Sequence, residues 1–217
     1  MVHIWPIIRS ARPTHWVKNA ALLAALFFSG NLFVPELFNA TLFAIAVFTM
    51  ATSSVYLFND VIDSEYDKEH PVKKHRPIAQ GLISLPFAVF LFVLLSFGSL
   101  FFASFVSFFF FLAVLSYIVL QIFYTLILKT LPVFDILAIA AGFILRIWAG
   151  AFVVNLHLSV WFILCTISVA LFLAAGKRKA ELSILEAHTK SRRFLYTHPQ
   201  LDSYLTMFAT SSWIAWA

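Results

Sequence analysis

Asn59-Asp60-Val61-Ile62-Asp63-Ser64-Glu65-Tyr66-Asp67 closes a long apolar segment with five acidic or amide side chains in nine residues. Helical spacing puts Asn59, Asp63 and Asp67 at i, i+4 and i+8, with Asp60 three residues before Asp63. If the helix continues this far, four oxygen-bearing side chains share a face. Carboxylates held that close repel unless a cation sits among them. Hard oxygen donors suit Mg²⁺, which binds one or two carboxylates plus substrate phosphates and keeps some of its water. The expectation is a Mg²⁺ site on Asn59, Asp60, Asp63 and Asp67 that holds a diphosphate, with Asp60, Asp63 and Asp67 as its catalytic carboxylates. It is not an EF-hand loop, which needs a central glycine and a final bidentate glutamate.

The same loop ends in Lys73-Lys74-His75-Arg76-Pro77, and Arg76 beside the acidic run reads as a phosphate clamp. Further along come Tyr124 and Lys129, which would also serve as an interfacial anchor and a snorkelling lysine. Asp135 and Arg146 are ionisable groups in an apolar stretch, where charge is costly and faces a partner or a wet cavity. Eleven residues of helix separate them by roughly 16 Å, so they cannot pair with each other. Arg146 is expected to meet another anion, a ligand phosphate or a carboxylate. Gly176-Lys177-Arg178-Lys179-Ala180-Glu181 opens a later loop. Lys177 and Glu181 match a helical salt bridge, and with Arg178 and Lys179 they could grip a second phosphate and a second metal. Lys18 and Asn19 start an apolar segment and could reach the same site. Lys190, Arg192 and Arg193 read as a solvated or lipid-binding face. No Ser/His/Asp triad, glycine-rich phosphate loop or Cys/His zinc spacing is evident.

These residues need elements to position them, and composition says which. Of 217 residues 62% are apolar and only 12% charged, and the mean hydropathy is +0.92. A soluble domain is nearer a quarter charged, so the class is an all-α, polytopic transmembrane helical bundle. Apolar runs predict spans near 18–35, 38–58, 85–104, 106–128, 131–153, 158–175 and 203–217. The excess of phenylalanine, 26 residues, is read as lipid-facing filler. The single cysteine, Cys165, excludes an intrachain disulfide. Of the 15 lysines and arginines, all but Arg146 fall at the N-terminus or in alternate loops. The positive-inside rule then places the N-terminus, those loops and the candidate site in the cytoplasm. The net charge of +5 follows from those loops and does not indicate nucleic acid.

The run Asn59 to Asp67 resembles the first signature, N-D-x-x-D-x-x-x-D, of the UbiA superfamily of intramembrane prenyl-group enzymes. Tyr124 and Lys129 are similar to the pairing that follows its fourth span. Where the superfamily carries a second aspartate-rich motif, this chain has Lys177-Arg178-Lys179-Ala180-Glu181. That departure, with the blocks Arg12 to Asn19, Tyr56 to Asp63, His75 to Ala79, Ala140 to Arg146 and Gly176 to Leu182, resembles the branch of decaprenyl-phosphate phosphoribosyltransferases. The resemblance implies a nine-helix bundle, of which this chain supplies about seven in one integral membrane domain over 1–217, cut short at its C-terminus. It implies a multi-pass protein of the plasma (inner) membrane with Mg²⁺ as cofactor. Its partners would be the lipid bilayer, 5-phosphoribosyl diphosphate and a polyprenyl phosphate, with self-association into a homo-oligomer allowed. Lys18, Arg76, Tyr124, Lys129, Arg146, Lys177, Arg178 and Glu181 would bind substrate. Two other readings stay open: prenyl transfer from a diphosphate to an aromatic acceptor, and transport of a lipid or ion through Asp135 and Arg146.

Overall fold

The computed structural model describes residues 4–70, 72–188 and 196–216, with side chains on the penultimate helix described as far as residue 183. Lys190, Arg192 and Arg193 lie outside the described residues. Among the described residues every element is helical. The helices are α1 (Ile4–Ser10), α2 (Pro13–Trp16), a 3₁₀ segment (Val17–Leu22), α3 (Leu23–Phe28), α4 (Pro35–Ile62), α5 (Ser64–Glu69), α6 (Leu85–Ser104), α7 (Phe108–Leu126), α8 (Phe134–Val153), α9 (Val160–His188) and α10 (His198–Trp216). Short 3₁₀ turns occupy Lys73–His75 and Leu128–Thr130. Among the described residues five helices are long and apolar enough to cross a membrane: α4, α6, α7, α8 and the Val160–Ser183 part of α9. The expected spans over 38–58, 85–104, 106–128, 131–153 and 158–175 thus correspond to real helices, with the ends shifted in all but the 85–104 span.

Two expectations are corrected. Residues 18–35 do not form one helix. The helical run is Pro13–Phe28, with 3₁₀ winding in its middle and a loop after it. Four α, six 3₁₀ and six α residues reach roughly 27 Å, close to the roughly 30 Å of a hydrocarbon core, because 3₁₀ winding rises further per residue. Hydropathy cannot reveal that change of winding. The 3₁₀ repeat of three aligns Asn19 with Leu22, and these are the two buried residues of the segment. The second correction concerns 203–217. Helix α10 is of spanning length, but Asp202, Ser203, Thr206 and Thr210 to Ser212 make it too polar to stand among the five.

The chain packs as two compact units, and the division passes through α8. In the first unit (residues 1–125 and 145–156), Phe48 and Val47 of α4 pack with Phe110, Val114 and Tyr117 of α7, and with Leu22. Helix α6 lies along α4 through small residues and through Leu57 and Phe58, which pack against Phe92 and its neighbours. Ser54, Ser96 and Ser99 are buried there, and Ser96 Oγ donates to Ser54 Oγ at 3.0 Å. The outer faces of α6 and α7 expose Phe90, Phe97, Phe101, Phe105, Phe108 and Phe109. In the second unit (126–144 and 157–217), Ile136 and Ala140 pack with Ala170, Ala174 and Leu201.

Gly150 marks the tightest approach in the first unit. A β-carbon there would lie 2.0 Å from the carbonyl oxygen of Leu22, and neither backbone can yield without moving a helix. Gly150→Ala is expected to destabilise the protein by about 1–3 kcal/mol, the ordinary cost of overpacking. Thermal unfolding in detergent reads this out, and an unchanged melting temperature would refute the contact.

Candidate phosphate and metal site

Helix α4 stops at Ile62 and α5 starts at Ser64, with Asp63 at the joint. The i→i−4 ladder nevertheless continues, with Asp63 N–H donating to Asn59 at 2.9 Å and Asp67 N–H to Asp63 at 2.8 Å. The helical register read from the sequence therefore survives the joint. Asp60 and Asp67 are buried, whereas Asn59 and Asp63 are half-buried. Asn59 Nδ2 donates to Asp63 Oδ2 at 3.1 Å, and Thr125 of α7 donates to Asn59 Oδ1 at 3.3 Å.

Two guanidinium groups sit among the carboxylates. Arg76 Nη1 bridges Asp60 Oδ1 at 3.1 Å and Asp67 Oδ2 at 2.6 Å. Arg12 Nη2 donates to the same oxygen of Asp60. Arg76 was expected from sequence; Arg12 was not. Its signal lay in its position next to Pro13 in the Arg12-to-Asn19 block. Arg12 adopts φ 53°, a left-handed conformation costly for a residue with a side chain. Its guanidinium also lies over the Tyr56 ring, 4.6 Å from the centroid, and His15 Nδ1 is 3.2 Å from the Tyr56 hydroxyl.

The donor set fits a hard cation. It consists of carboxylate and amide oxygens, and buried Asp67 Oδ1 has no hydrogen-bond partner. Orphaned buried oxygens are rare and call for an explanation. Among the described residues, however, no three carboxylates or imidazoles already converge on one point as a metal cage, because the guanidiniums hold Asp60 and Asp67.

Arg146 lies deeper in the same unit. Its Nε donates to Asn19 Oδ1 at 3.0 Å and its Nη2 to the Tyr117 hydroxyl at 2.9 Å. Its charge also lies over the Phe48 and Tyr117 rings. Asn19 is fully used, since its Nδ2 donates to Thr49 at 2.9 Å and Thr52 at 3.2 Å. Nothing in the sequence signals that Asn19 and Tyr117 hold Arg146 in this cradle. It is made of single polar residues scattered over three helical segments. Lys18 is half-buried, within reach of the like charges of Arg146 and Arg12. An anion docking beside Lys18 would relieve that repulsion. Tyr124, also in this unit, is half-buried on α7.

The second unit carries Lys129, Lys177, Arg178 and Glu181. Arg178 Nε lies 2.5 Å from Asp135 Oδ2, and its Nη1 bonds Glu181. Asp135 Oδ1 takes the N–H of Ile136 at 2.8 Å and the hydroxyl of Tyr196. That hydroxyl accepts from the N–H of Val133 at 2.5 Å. Burial, and then the hydrogen bond to Asp135, push the Tyr196 phenol above its ordinary value. Lys177 is exposed and sits 3.8 Å from Glu181. The sequence had Asp135 and Arg178 apart; the fold makes them an ion pair between a fully buried carboxylate and a half-buried guanidinium.

A family model described as the UbiA prenyltransferase family matches residues 19–179. The chain belongs to the UbiA prenyltransferase family. Relatives named decaprenyl-phosphate phosphoribosyltransferase agree. The protein from Corynebacterium glutamicum is 37% identical over 97% of this chain and 66% of its own length. That of Mycobacterium tuberculosis H37Rv is 35% identical over 95% and 68%. The chain thus spans about two thirds of these relatives. Among solved structures, a UbiA homolog from Archaeoglobus fulgidus bound to GPP and Mg²⁺ superposes with a TM-score of 0.80 at 19% identity, over 97% of this chain and 76% of that one. A digeranylgeranylglyceryl phosphate synthase structure gives 0.73 at 15% identity, over 98% and 75%. The UbiA fold and its multi-pass membrane character are therefore those of this chain.

Proposed function

We propose that this UbiA family member transfers 5-phosphoribose from 5-phosphoribosyl diphosphate to a polyprenyl phosphate, with decaprenyl phosphate as the natural lipid. The products are polyprenyl-phosphoryl-5-phosphoribose and diphosphate, a step towards decaprenylphosphoryl arabinose and cell-wall arabinan. The observation that carries this reading is the pairing of an intact aspartate signature at Asn59–Asp67 with cations at Lys177, Arg178 and Lys179, where the resemblance implies aspartates. The relatives' names support it.

In this reaction the bond from ribose C1 to the diphosphate oxygen breaks. A bond from C1 to a lipid phosphate oxygen forms, and the nucleophile is already an anion, so no strong base is required. Mg²⁺, held by Asn59, Asp60, Asp63 and Asp67, would offset charge on the leaving diphosphate. Arg76 and Lys18 orient phosphate groups, with Tyr124 as a neighbouring donor. Arg146, fixed by Asn19 and Tyr117, contributes positive field from its cradle. The second unit brings its own phosphate-binding candidates in Lys129, Lys177 and Arg178, with Glu181 steadying the last two. The lysine and arginine distribution supports a plasma membrane protein with its N-terminus and these groups on the cytoplasmic side.

The test is diphosphate release by protein purified in detergent. Release that requires Mg²⁺, 5-phosphoribosyl diphosphate and decaprenyl phosphate together is the expected result. Release instead from a prenyl diphosphate with an aromatic acid would overturn it.

A further inference from the structure

The two arginines among the aspartates have no role in a site that simply waits for its metal. Asp60 is 2% exposed and receives both guanidiniums on one oxygen, and Arg76 spans from it to Asp67. Two positive and two negative groups thus balance inside a low-dielectric region. A buried carboxylate without a partner is strongly destabilising, so these contacts hold the acidic cluster together without a divalent ion. The same contacts oppose one. A divalent cation arriving alone finds Asp60 and Asp67 already neutralised and must take their oxygens from the guanidiniums. Arriving with a diphosphate, it brings anionic oxygens to which the displaced guanidiniums can turn. Buried Asp67 Oδ1, without a hydrogen-bond partner, is the oxygen left open to the incoming ion.

We propose that Arg12 and Arg76 are exchangeable counter-ions of Asp60 and Asp67, standing in for the divalent cation and handing the carboxylates over when metal and diphosphate enter together. This rests on the metal-diphosphate reading given above. It adds Arg12 to the residues that control the site, as a positioning residue acting through Asp60. Metal and diphosphate must then favour each other's binding by the same factor. The left-handed backbone at Arg12 gives its side chain a defined reach, and Tyr56 beneath it offers an aromatic face in either state.

The probe is Mn²⁺ alone, followed by loss of the free-ion electron paramagnetic resonance signal on titrating full-chain protein in detergent. Arg12→Gln is expected to bind Mn²⁺ roughly tenfold more tightly than the unsubstituted protein, the scale of one charge-assisted hydrogen bond removed from the competition. In chelator the same variant should melt at a lower temperature, and Mn²⁺ should restore more of its stability than it adds to the parent. Arg12→Lys, which keeps the charge without the fork, should fall between the two. Arg76→Gln provides the same comparison if Arg12→Gln does not fold. Unchanged or weaker Mn²⁺ binding in these variants, while Asp63→Asn still weakens it, overturns the exchange and leaves the metal reading standing. Absence of Mn²⁺ binding in every form, even with inorganic diphosphate present, overturns both.

Discussion

Asp63→Ala should lower turnover at least roughly a thousandfold, the upper range for removing one group that stabilises developing charge, while the protein still inserts and folds. The structure explains why Asp63 is the informative choice. It is half-buried at the α4–α5 joint, and Asn59 donates to it. Asp60, by contrast, neutralises two guanidiniums, and its removal would take the paired carboxylate from Arg12 and leave Arg76 with Asp67 alone. Loss of activity in Asp60→Ala would thus mix chemistry with folding, whereas Asp63→Ala separates them. Diphosphate release measures the first, and size-exclusion behaviour with helical circular dichroism the second. An active, folded Asp63→Ala protein would remove the carboxylate cluster from the mechanism.

The other large effect is on stability. Asp135→Ala is expected to cost about 3 kcal/mol, the lower end for breaking a buried pair, because half-buried Arg178 keeps Glu181 while Tyr196 and the Ile136 N–H lose their acceptor. Asp135 is fully buried, and it is tied to Arg178, Tyr196 and the N-terminus of α8 at once. The double variant Asp135→Leu with Arg178→Met should recover much of that loss, since an apolar replacement of both charges removes the desolvation penalty. Denaturant titration of all forms in detergent gives the comparison. A double variant no better than Asp135→Ala would show that the pair is not coupled. If Arg178 also binds phosphate, the double variant will be stable and inactive.

Some of this architecture is legible in the sequence because its determinants are local. The aspartates of Asn59–Asp67 follow helical spacing, and α4 with α5 preserves that spacing. The five apolar helices announce themselves by length and hydropathy. What stays hidden depends on partners distant along the chain. Arg12 meets Asp60 across 48 residues, and Arg146 meets Asn19 across 127. Nothing near Asn19 reveals that its amide serves an arginine on another helix. Tyr196 is similarly silent in sequence, because a lone tyrosine after a polar stretch carries no sign of a buried aspartate 61 residues earlier. The 3₁₀ winding of Val17–Leu22 was missed because apolar composition is blind to helix type.

The phenylalanine-covered outer faces of α6 and α7 bear on how this protein's cohesion can be measured at all. Lipid or detergent surrounds Phe90, Phe97, Phe101 and Phe105 whether or not the helices remain together. Water expulsion therefore contributes little to holding α6 against α4; van der Waals contact, from small residues and from Leu57 and Phe58 against Phe92 and its neighbours, and the Ser96–Ser54 hydrogen bond hold them together. The heat capacity increment that accompanies unfolding of a water-soluble domain, about 12–15 cal/mol/K per residue, comes from apolar surface newly exposed to water. Here most of that surface remains in contact with amphiphile, so the stability curve is flatter with temperature, and cold loosens this bundle far less than it would a soluble one.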